Sequence, residues 1–451
     1  MQKNVGKNVL DALMPKTAIQ KTVTSSSLNV IQINAILFKV WRFNLLTVIF
    51  IYAMILLREE CVMQNFEFFT PTKILFGKGA VSGLPNEIKK YTNKVLLTYG
   101  GGSVKRLGIY DTVINLLKEN QIEYVELSGI EPNPRVESVA LGAKLCKENS
   151  LGGVLALGGG STLDCSKVIA GAAGYKGDAW DIVLTPQKIE SVLPIFTVLT
   201  LSATGSEMNG NAVISNMSTN DKKGVYHTDF KPKCSVLDPE YTFSVSPWQT
   251  ASGTADIMSH IFETYFSKES NAMVQDAIAE GLLKVCIENG KKAFDNPTDY
   301  TARANMMWAS SLAINGLTGA GKSDAWSCHA MEHQLSAYYD ITHGAGLATL
   351  TPAWFEYILS DETVEKFKSY GVNVWGIDSS LDRYEIARKA IEKTKNFLFN
   401  DLKLPKTLKE YGIDETHLEI MAEKAAKEGL KYAYVPLEKK DVLAIYKSCL
   451  G

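Results

Sequence analysis

The chain lacks a basic surplus and a paired cysteine motif, and it is poor in histidine. It has 47 Lys and Arg residues against 49 Asp and Glu residues, a net charge of −2. This balance excludes the positive field typical of nucleic-acid-binding proteins, so no nucleic-acid partner is expected. The seven cysteines are scattered, odd in number and never spaced Cys-x-x-Cys. This usage argues against a disulfide framework and predicts a reducing compartment, the cytoplasm.

Apolar content is not concentrated in a membrane-spanning run. The apolar run at residues 45–57 contains 13 residues. As a helix it rises only about 20 Å, short of the roughly 30 Å hydrocarbon core of a bilayer. Residues 1–62, which include this run, differ in character from the rest, and we interpret them as an extension outside the fold, produced by a start codon assigned too early. Met63 begins a segment with the character of a domain start. The alternative is a non-enzymatic protein that residues 45–57 anchor to a membrane.

The length and the periodicity of the chain predict two domains. At 451 residues the chain exceeds the size of one ordinary core. Short apolar runs predict strands at residues 94–99, 122–127, 152–157 and 194–201. Amphipathic stretches predict helices at residues 271–289, 301–315 and 325–338. We therefore predict a Rossmann-like, parallel-sheet dinucleotide-binding α/β domain at residues 63–245 and a helical metal-binding catalytic domain at residues 246–451.

Two glycine turns follow predicted strands, and each reads Gly-Gly-Gly-Ser, at residues 100–103 and 158–161. Glycine lets the backbone approach a phosphate closely, and the helix that follows offers free N–H groups. The usual GxGxxG fingerprint is absent, and a single such turn is often only a packing feature. Two turns after two strands predict a pyrophosphate site. Residues 200–209 add hydroxyls and a glycine after the fourth strand, either as ligand contacts or as a helix-capping cluster.

The first glycine turn bears on the choice of cofactor. NAD-preferring enzymes usually place a carboxylate where it binds the ribose 2′-hydroxyl. No acidic residue follows the strand at residues 94–99, whereas Ser103, Lys105 and Arg106 do. This favours NADP(H) over NAD(H). The alternative is that Lys105 and Arg106 only solvate the start of a helix.

The scarce histidines cluster with one aspartate. Asp256 and His260 are four residues apart in a stretch with helical character, and His329 and His333 repeat this spacing. His343 follows His329 by fourteen residues. We predict that one divalent metal, Fe(II) or Zn(II), is held by Asp256, His260, His329 and His343. His333 is either a proton relay or a helix-packing residue.

Together these motifs resemble the iron-containing alcohol dehydrogenase family, and within it the NADP-dependent butanol dehydrogenase and aldehyde reductase branch. The resemblance spans residues 63–451, and it is carried by residues 66–79, both glycine turns, residues 203–207 and 236–239, and the segment from His260 to His343. It implies a homodimeric enzyme that transfers hydride between NADP(H) and a small aliphatic alcohol or aldehyde. It also implies an active site in the cleft between the two domains.

The resemblance also implies roles for individual residues, and two alternative functions stay open. It carries the metal ligands over unchanged, and it places cofactor contacts at Gly101, Gly102, Ser103, Gly159, Gly160, Ser161, Asp164, Thr200, Thr204, Asn209 and Lys222. One rival is an NAD-linked diol or lactaldehyde reductase of the same family. Another is a metal-dependent carbon–oxygen lyase of the dehydroquinate synthase type. Such a lyase needs several basic residues near its metal, and only Lys322 is found near the predicted ligands.

Overall fold

A computed structural model describes residues 63–269, 271–323 and 325–451. The predicted extension at residues 1–62, with its apolar run, lies outside the described residues. Within the described ranges, no helix combines the length and the apolar content needed to cross a membrane. These residues belong to one compact unit, Val62–Gly451. The boundary predicted near residue 245 stays a prediction.

The strands of the described part all lie in its first half. They are β1 (Lys73–Phe76), β2 (Lys94–Tyr99), β3 (Glu123–Leu127), β4 (Gly153–Gly158), β5 (Ile195–Leu199), β6 (Asn211–Asn216), β7 (Asp221–Tyr226) and β8 (Cys234–Leu237). Six of them form a parallel sheet in the order β1-β8-β5-β4-β2-β3, and β6 pairs with β7 as an antiparallel hairpin. The parallel sheet confirms the predicted Rossmann-like fold.

All four predicted strands are confirmed. The strand predicted at residues 94–99 is β2, and β3, β4 and β5 lie within two residues of their predicted bounds, although β3 at the edge of the sheet is only partly buried. Every residue of β4 and β5 is buried because helices cover both faces of the sheet, which gives continuous apolar runs. β7 reads Asp-Lys-Lys-Gly-Val-Tyr and was not predicted, since it has no such run.

Helices connect the strands and then form the second half. The first half contains α1 (Leu84–Ile88), α2 (Ser103–Arg106), α3 (Ile109–Glu119), α4 (Val136–Glu148), α5 (Gly160–Ala172) and α6 (Ala179–Leu184). The second half contains α7 (Pro247–Tyr265), α8 (Met273–Asp295), α9 (Tyr300–Ala313), α10 (Ser327–Tyr339), α11 (His343–Ile358), α12 (Val364–Asn373), α13 (Arg383–Lys395), α14 (Leu418–Ala426) and α15 (Lys439–Ser448). The predicted helical character of the second half is confirmed.

The strand order brings the two glycine turns together. The chain passes from β2 to its neighbour β3 on one side and then crosses to β4 on the other side. The order therefore reverses between β2 and β4, and ligands of open parallel sheets bind outside the carboxyl ends of the strands at such a point. Both glycine turns start at this edge, directly after β2 and at the end of β4.

Helix α7 lies at the centre of the helical half. It packs most extensively against α8 and α11 and is buried along nearly its whole length. An entirely apolar surface would suit that position, yet α7 buries Asp256, His260 and Glu263. Buried polar groups are costly unless they have partners, so their surroundings need an explanation.

Candidate metal and cofactor site

A cavity of about 550 Å³, called here the central cavity, lies beside the carboxyl edge of the sheet. Its polar wall in the first half contains the predicted cofactor residues Ser161, Asp164, Thr204, Asn209 and Lys222. Its wall in the helical half contains His260, Trp326, His329, His333 and His343. The other predicted cofactor residues belong to the turns and strand ends: Gly101, Gly102, Ser103, Gly159, Gly160 and Thr200.

The turn at residues 158–161 is enclosed. A Cβ atom at Gly158 would lie 2.6 Å from the Thr162 side chain, and one at Gly160 would lie 2.4 Å from the Thr204 side chain. Any larger residue would displace these neighbours. Glycine is therefore required by packing here. Because it has no side chain, it also lets an anionic group approach the backbone N–H groups at the start of α5.

The turn at residues 100–103 is open at its second and third residues, whereas a Cβ atom at Gly100 would lie 3.1 Å from the Ile130 carbonyl oxygen. Gly102 has a left-handed backbone with φ 96°, which favours glycine. Among the described residues, a Cβ atom at Gly101 or Gly102 would meet nothing within 4 Å. Ser103 follows at the exposed start of α2. This turn therefore leaves free space beside the enclosed one.

The two basic residues after the open turn have different surroundings. The Lys105 ammonium lies 4.4 Å from the centroid of the Tyr110 ring and 3.9 Å from the Glu126 carboxylate. Arg106 is exposed. Glu126 also accepts hydrogen bonds from the hydroxyls of Tyr99 and Tyr110, at 2.6 and 2.7 Å. Lys105 is thus held beside Tyr110 and Glu126, whereas no such contact is found for Arg106 in the part of the chain that the structure describes.

Two buried charged residues of α5, Asp164 and Lys167, form hydrogen bonds with residues 200–209 and with strand β6. Asp164 accepts hydrogen bonds from Ser206 Oγ at 2.6 Å and from a backbone N–H of β6 at 2.9 Å, and burial raises its pKa. Lys167 donates to Asn209 Oδ1 at 3.0 Å and to the first carbonyl of β6 at 2.7 Å. Burial lowers the pKa of Lys167 to about 8. These bonds fix residues 200–209 beside the cavity.

The four predicted metal ligands come together around one oxygen. Asp256 Oδ1 lies 3.4 Å from His260 Nε2, 3.7 Å from His343 Nε2 and 3.9 Å from His329 Nε2. Helix α7 presents Asp256 and His260 on one face, α10 carries His329, and α11 begins at His343. Three helices therefore contribute to one cluster.

This cluster fits a divalent metal. Asp256 Oδ1 and His329 Nε2 are buried without a hydrogen-bond partner among the described residues. Leaving such groups unpaired costs about 1–3 kcal/mol each. Metal–ligand bonds of about 2.1 Å in a tetrahedral site separate neighbouring ligand atoms by roughly 3.4 Å. The ligand atoms of Asp256, His329 and His343 lie within 4.8 Å of one another, and His260 joins them through its 3.4 Å contact with Asp256. The donor set of imidazoles and a carboxylate suits Fe(II) or Zn(II).

Two buried glutamates that were not predicted as site residues contact two of the histidines. His329 Nδ1 lies 3.0 Å from Glu263 Oε1, and His343 Nδ1 contacts Glu332 Oε2. Helical spacing was the signal that was missed. Glu263 follows His260 by three residues on α7, and Glu332 follows His329 by three residues on α10.

Lys222 and His333 complete the polar wall of the central cavity. Lys222 Nζ lies 3.4 Å from Glu332 Oε2 and 3.3 Å from His343 Nδ1, so this residue of β7 reaches the helical half. The His333 ring centroid is 5.5 Å from that of His343, and burial lowers the pKa of His333 well below its usual range. Its imidazole is therefore neutral near pH 7.

Two family descriptions match the chain over most of its described length. "Iron-containing alcohol dehydrogenase" matches residues 71–239, and "Fe-containing alcohol dehydrogenase family, C-terminal" matches residues 250–450. The chain belongs to the iron-containing alcohol dehydrogenase family. The predicted resemblance to this family is thereby confirmed. As a member of this family, the protein is an alcohol dehydrogenase or aldehyde reductase that uses a nicotinamide cofactor and a divalent metal.

Similar proteins are found among characterised enzymes and solved structures. NADH-dependent butanol dehydrogenase A of Clostridium acetobutylicum is 58% identical over 85% of this chain and 99% of its own length. NADPH-dependent aldehyde reductase YqhD of Escherichia coli is 42% identical over 82% of this chain and 94% of its own length. The crystal structure of NADH-dependent butanol dehydrogenase A from Thermotoga maritima superposes with a TM-score of 0.82 at 39% identity, covering 86% of this chain and 100% of the other.

Proposed function

We propose that this family member interconverts small aliphatic aldehydes and alcohols with NADP(H), and that Asp256, His260, His329 and His343 hold its divalent metal. The observation that carries the proposal is the approach of three imidazole nitrogens to one carboxylate oxygen. This cluster borders the same cavity as the residues around the enclosed glycine turn. A metal and a dinucleotide bound in these places would both lie at the central cavity.

The protein's own part in the reaction is to bind, orient and exclude water. When bound, the metal supplies Lewis acidity at the substrate oxygen, and the nicotinamide carries the hydride. Asp256 and His260 are only 2% and 4% exposed, which keeps bulk water from the polar cluster. We assign His333 as the group that exchanges a proton between solvent and the substrate oxygen through its imidazole. Helix packing is the alternative role of His333.

The walls of the central cavity suit an aliphatic chain. Beside the histidines, the cavity is lined by apolar side chains, including Val213, Ile314 and Trp326. Trp326 stands edge-on to His329, with their ring centroids 4.9 Å apart. Binding an alkyl group there removes apolar surface from water, whereas a phosphorylated acid would find few cations. The names of the relatives, butanol dehydrogenase and aldehyde reductase, agree with such a substrate.

The preference for NADP(H) rests on the open glycine turn. No carboxylate stands at residues 100–106, and the exposed Ser103 and Arg106 suit a 2′-phosphate. The aldehyde reductase that is 42% identical is named as NADPH-dependent. Reduction of aldehydes is then the expected direction in the cell.

An NAD(H)-linked reductase, acting on a diol or on lactaldehyde, is the second candidate. It is favoured by the position of Lys105, whose ammonium is engaged by Tyr110 and Glu126. The butanol dehydrogenase that is 58% identical is also named as NADH-dependent, which favours NAD(H) as the cofactor of this candidate but not a diol as its substrate. The ratio of the two cofactor efficiencies separates the candidates.

The test is an anaerobic assay of metal-free protein reloaded with Fe(II) or with Zn(II). Oxidation of NADPH and of NADH would be followed with aliphatic aldehydes of increasing chain length, with lactaldehyde included. We expect metal-dependent turnover of the aliphatic aldehydes and a higher kcat/KM with NADPH. No turnover with either metal contradicts the proposed function. A strong NADH preference contradicts only the cofactor assignment.

A further inference from the structure

We propose that Glu263 and Glu332 are positioning residues of the metal site, each holding one histidine so that its Nε2 faces Asp256. The inference rests on the proposed function, because it concerns the proposed metal ligands. Both glutamates are buried, at 4% and 0% exposure, and both contact a ligand histidine on the side away from Asp256.

Glu263 joins helix α7 to the start of α10. Its Oε1 accepts the backbone N–H of His329 at 2.9 Å and lies 3.0 Å from His329 Nδ1, while its Oε2 accepts the backbone N–H of Ser327 at 2.7 Å. The residue before α10, Trp326, has a left-handed backbone and provides no capping side chain. Glu263 thus caps α10 from another helix, and the cap fixes the carboxylate that orients His329.

Glu332 is fixed by different partners. Its Oε2 contacts His343 Nδ1 and lies 3.4 Å from Lys222 Nζ. Its Oε1 accepts a hydrogen bond from Ser336 Oγ. The carboxylate is therefore held from its own helix by Ser336 and from strand β7 by Lys222. This links the position of His343 to the first half of the chain.

These contacts determine which nitrogen of each ring is available. Where the glutamate carboxylate accepts a hydrogen bond from Nδ1 of His329 or of His343, Nε2 of the same ring keeps its lone pair. Both lone pairs then face an acceptor, Asp256 Oδ1, at 3.9 and 3.7 Å. Within the part of the chain that the structure describes, Nδ1 of His260 is buried without a hydrogen-bond partner, and its ring stacks on that of His329 with centroids 4.9 Å apart.

The test compares Glu263→Gln and Glu332→Gln with Glu280→Gln as a matched control. Glu280 also accepts two hydrogen bonds in the helical half, from Tyr265 and Asn373, and no contact with a histidine is found for it in the described ranges. Zn(II) and Co(II) affinity of the metal-free proteins would be measured against a competing chelator, together with the visible spectrum of bound Co(II). Thermal unfolding without metal reports the fold, and fluorescence reports NADPH binding.

We expect both site variants to bind metal roughly 10- to 100-fold more weakly than the wild type and to alter the Co(II) spectrum. Glu280→Gln should leave both unchanged, and NADPH binding should persist in all three. If loss of the cap prevents Glu263→Gln from folding, Glu332→Gln carries the test, since Glu332 caps no helix. The inference is wrong if both site variants keep the metal affinity and the Co(II) spectrum of the wild type while His329→Ala loses its metal. That result leaves the proposed function intact. A wild-type protein that binds no divalent metal overturns the proposed function as well.

Discussion

The two glycine turns have the same four-residue sequence but differ in what surrounds them. At residues 158–161, a Cβ atom would collide with the side chains of Thr162 or Thr204. At Gly101 and Gly102 it would meet open space. One turn needs glycine for its own packing, whereas the other leaves room for a ligand. The enclosed turn should therefore govern whether a dinucleotide binds, and the open turn which dinucleotide binds best.

The largest effect is expected for Gly160→Ala. The added methyl lies 2.4 Å from the short, branched Thr204 side chain, so the turn must shift, at a cost of about 1–3 kcal/mol in unfolding free energy. Dinucleotide affinity should fall at least about tenfold, equivalent to 1.4 kcal/mol. Denaturant unfolding and fluorescence titration measure the two effects.

Gly152→Ala is the matched control for this change. Its added methyl would lie 2.3 Å from the Thr92 side chain, just before the opposite end of β4. It should lower stability by a similar amount and leave dinucleotide affinity unchanged. Unchanged affinity in Gly160→Ala would remove the distinction between the two turns.

An intermediate effect is expected for Arg106→Glu beside the open turn. Replacing an exposed cation by an anion repels a 2′-phosphate and leaves the 2′-hydroxyl of NAD less affected. The ratio of kcat/KM with NADPH to that with NADH should fall about tenfold, equivalent to 1.4 kcal/mol. Lys118→Glu, an exposed charge reversal on α3, should not change the ratio. An unaltered ratio in Arg106→Glu would mean that this turn does not select the cofactor.

The smallest effect is expected for Gly101→Ala. Its added methyl meets nothing within 4 Å, so stability should stay within about 0.5 kcal/mol of the wild type. Dinucleotide affinity should fall only modestly, because the methyl enters space reserved for the ligand. A loss of stability as large as that of Gly160→Ala would show that the open turn is not open in solution.

Much of the fold follows from local patterns in the sequence. β2, β4 and β5 are buried on both faces, so their apolar runs are visible without any structure. The hairpin of β6 and β7 was missed because its polar residues meet the central cavity and the helical half rather than a continuous core. The role of Lys222 depends on that hairpin, since its contacts lie 110 and 121 residues away in sequence.

The site was predicted unevenly for the same reason. The four-residue spacing within one helix predicts that Asp256 and His260 lie on the same face. The small number of histidines in the chain singles out His329 and His343 as further candidate ligands. The partners of Nδ1 were not predicted, because glutamates on helices are common and most are solvated. Only the packing of α7 against α10 shows that Glu263 is buried beside His329. Lys105 likewise reads as free in sequence, and its engagement depends on the neighbouring strand β3 through Glu126.

The metal-ligand assignment is tested by the metal content of purified wild-type protein and of His329→Ala, with His417→Ala as the control. His417 lies beside Tyr338 and Tyr339, outside the polar cluster. Elemental analysis should find one divalent metal per chain in the wild type and the control. His329→Ala should lose its metal and its turnover while it still binds NADPH. Full metal content and full activity in His329→Ala would show that the histidine cluster does not hold the metal.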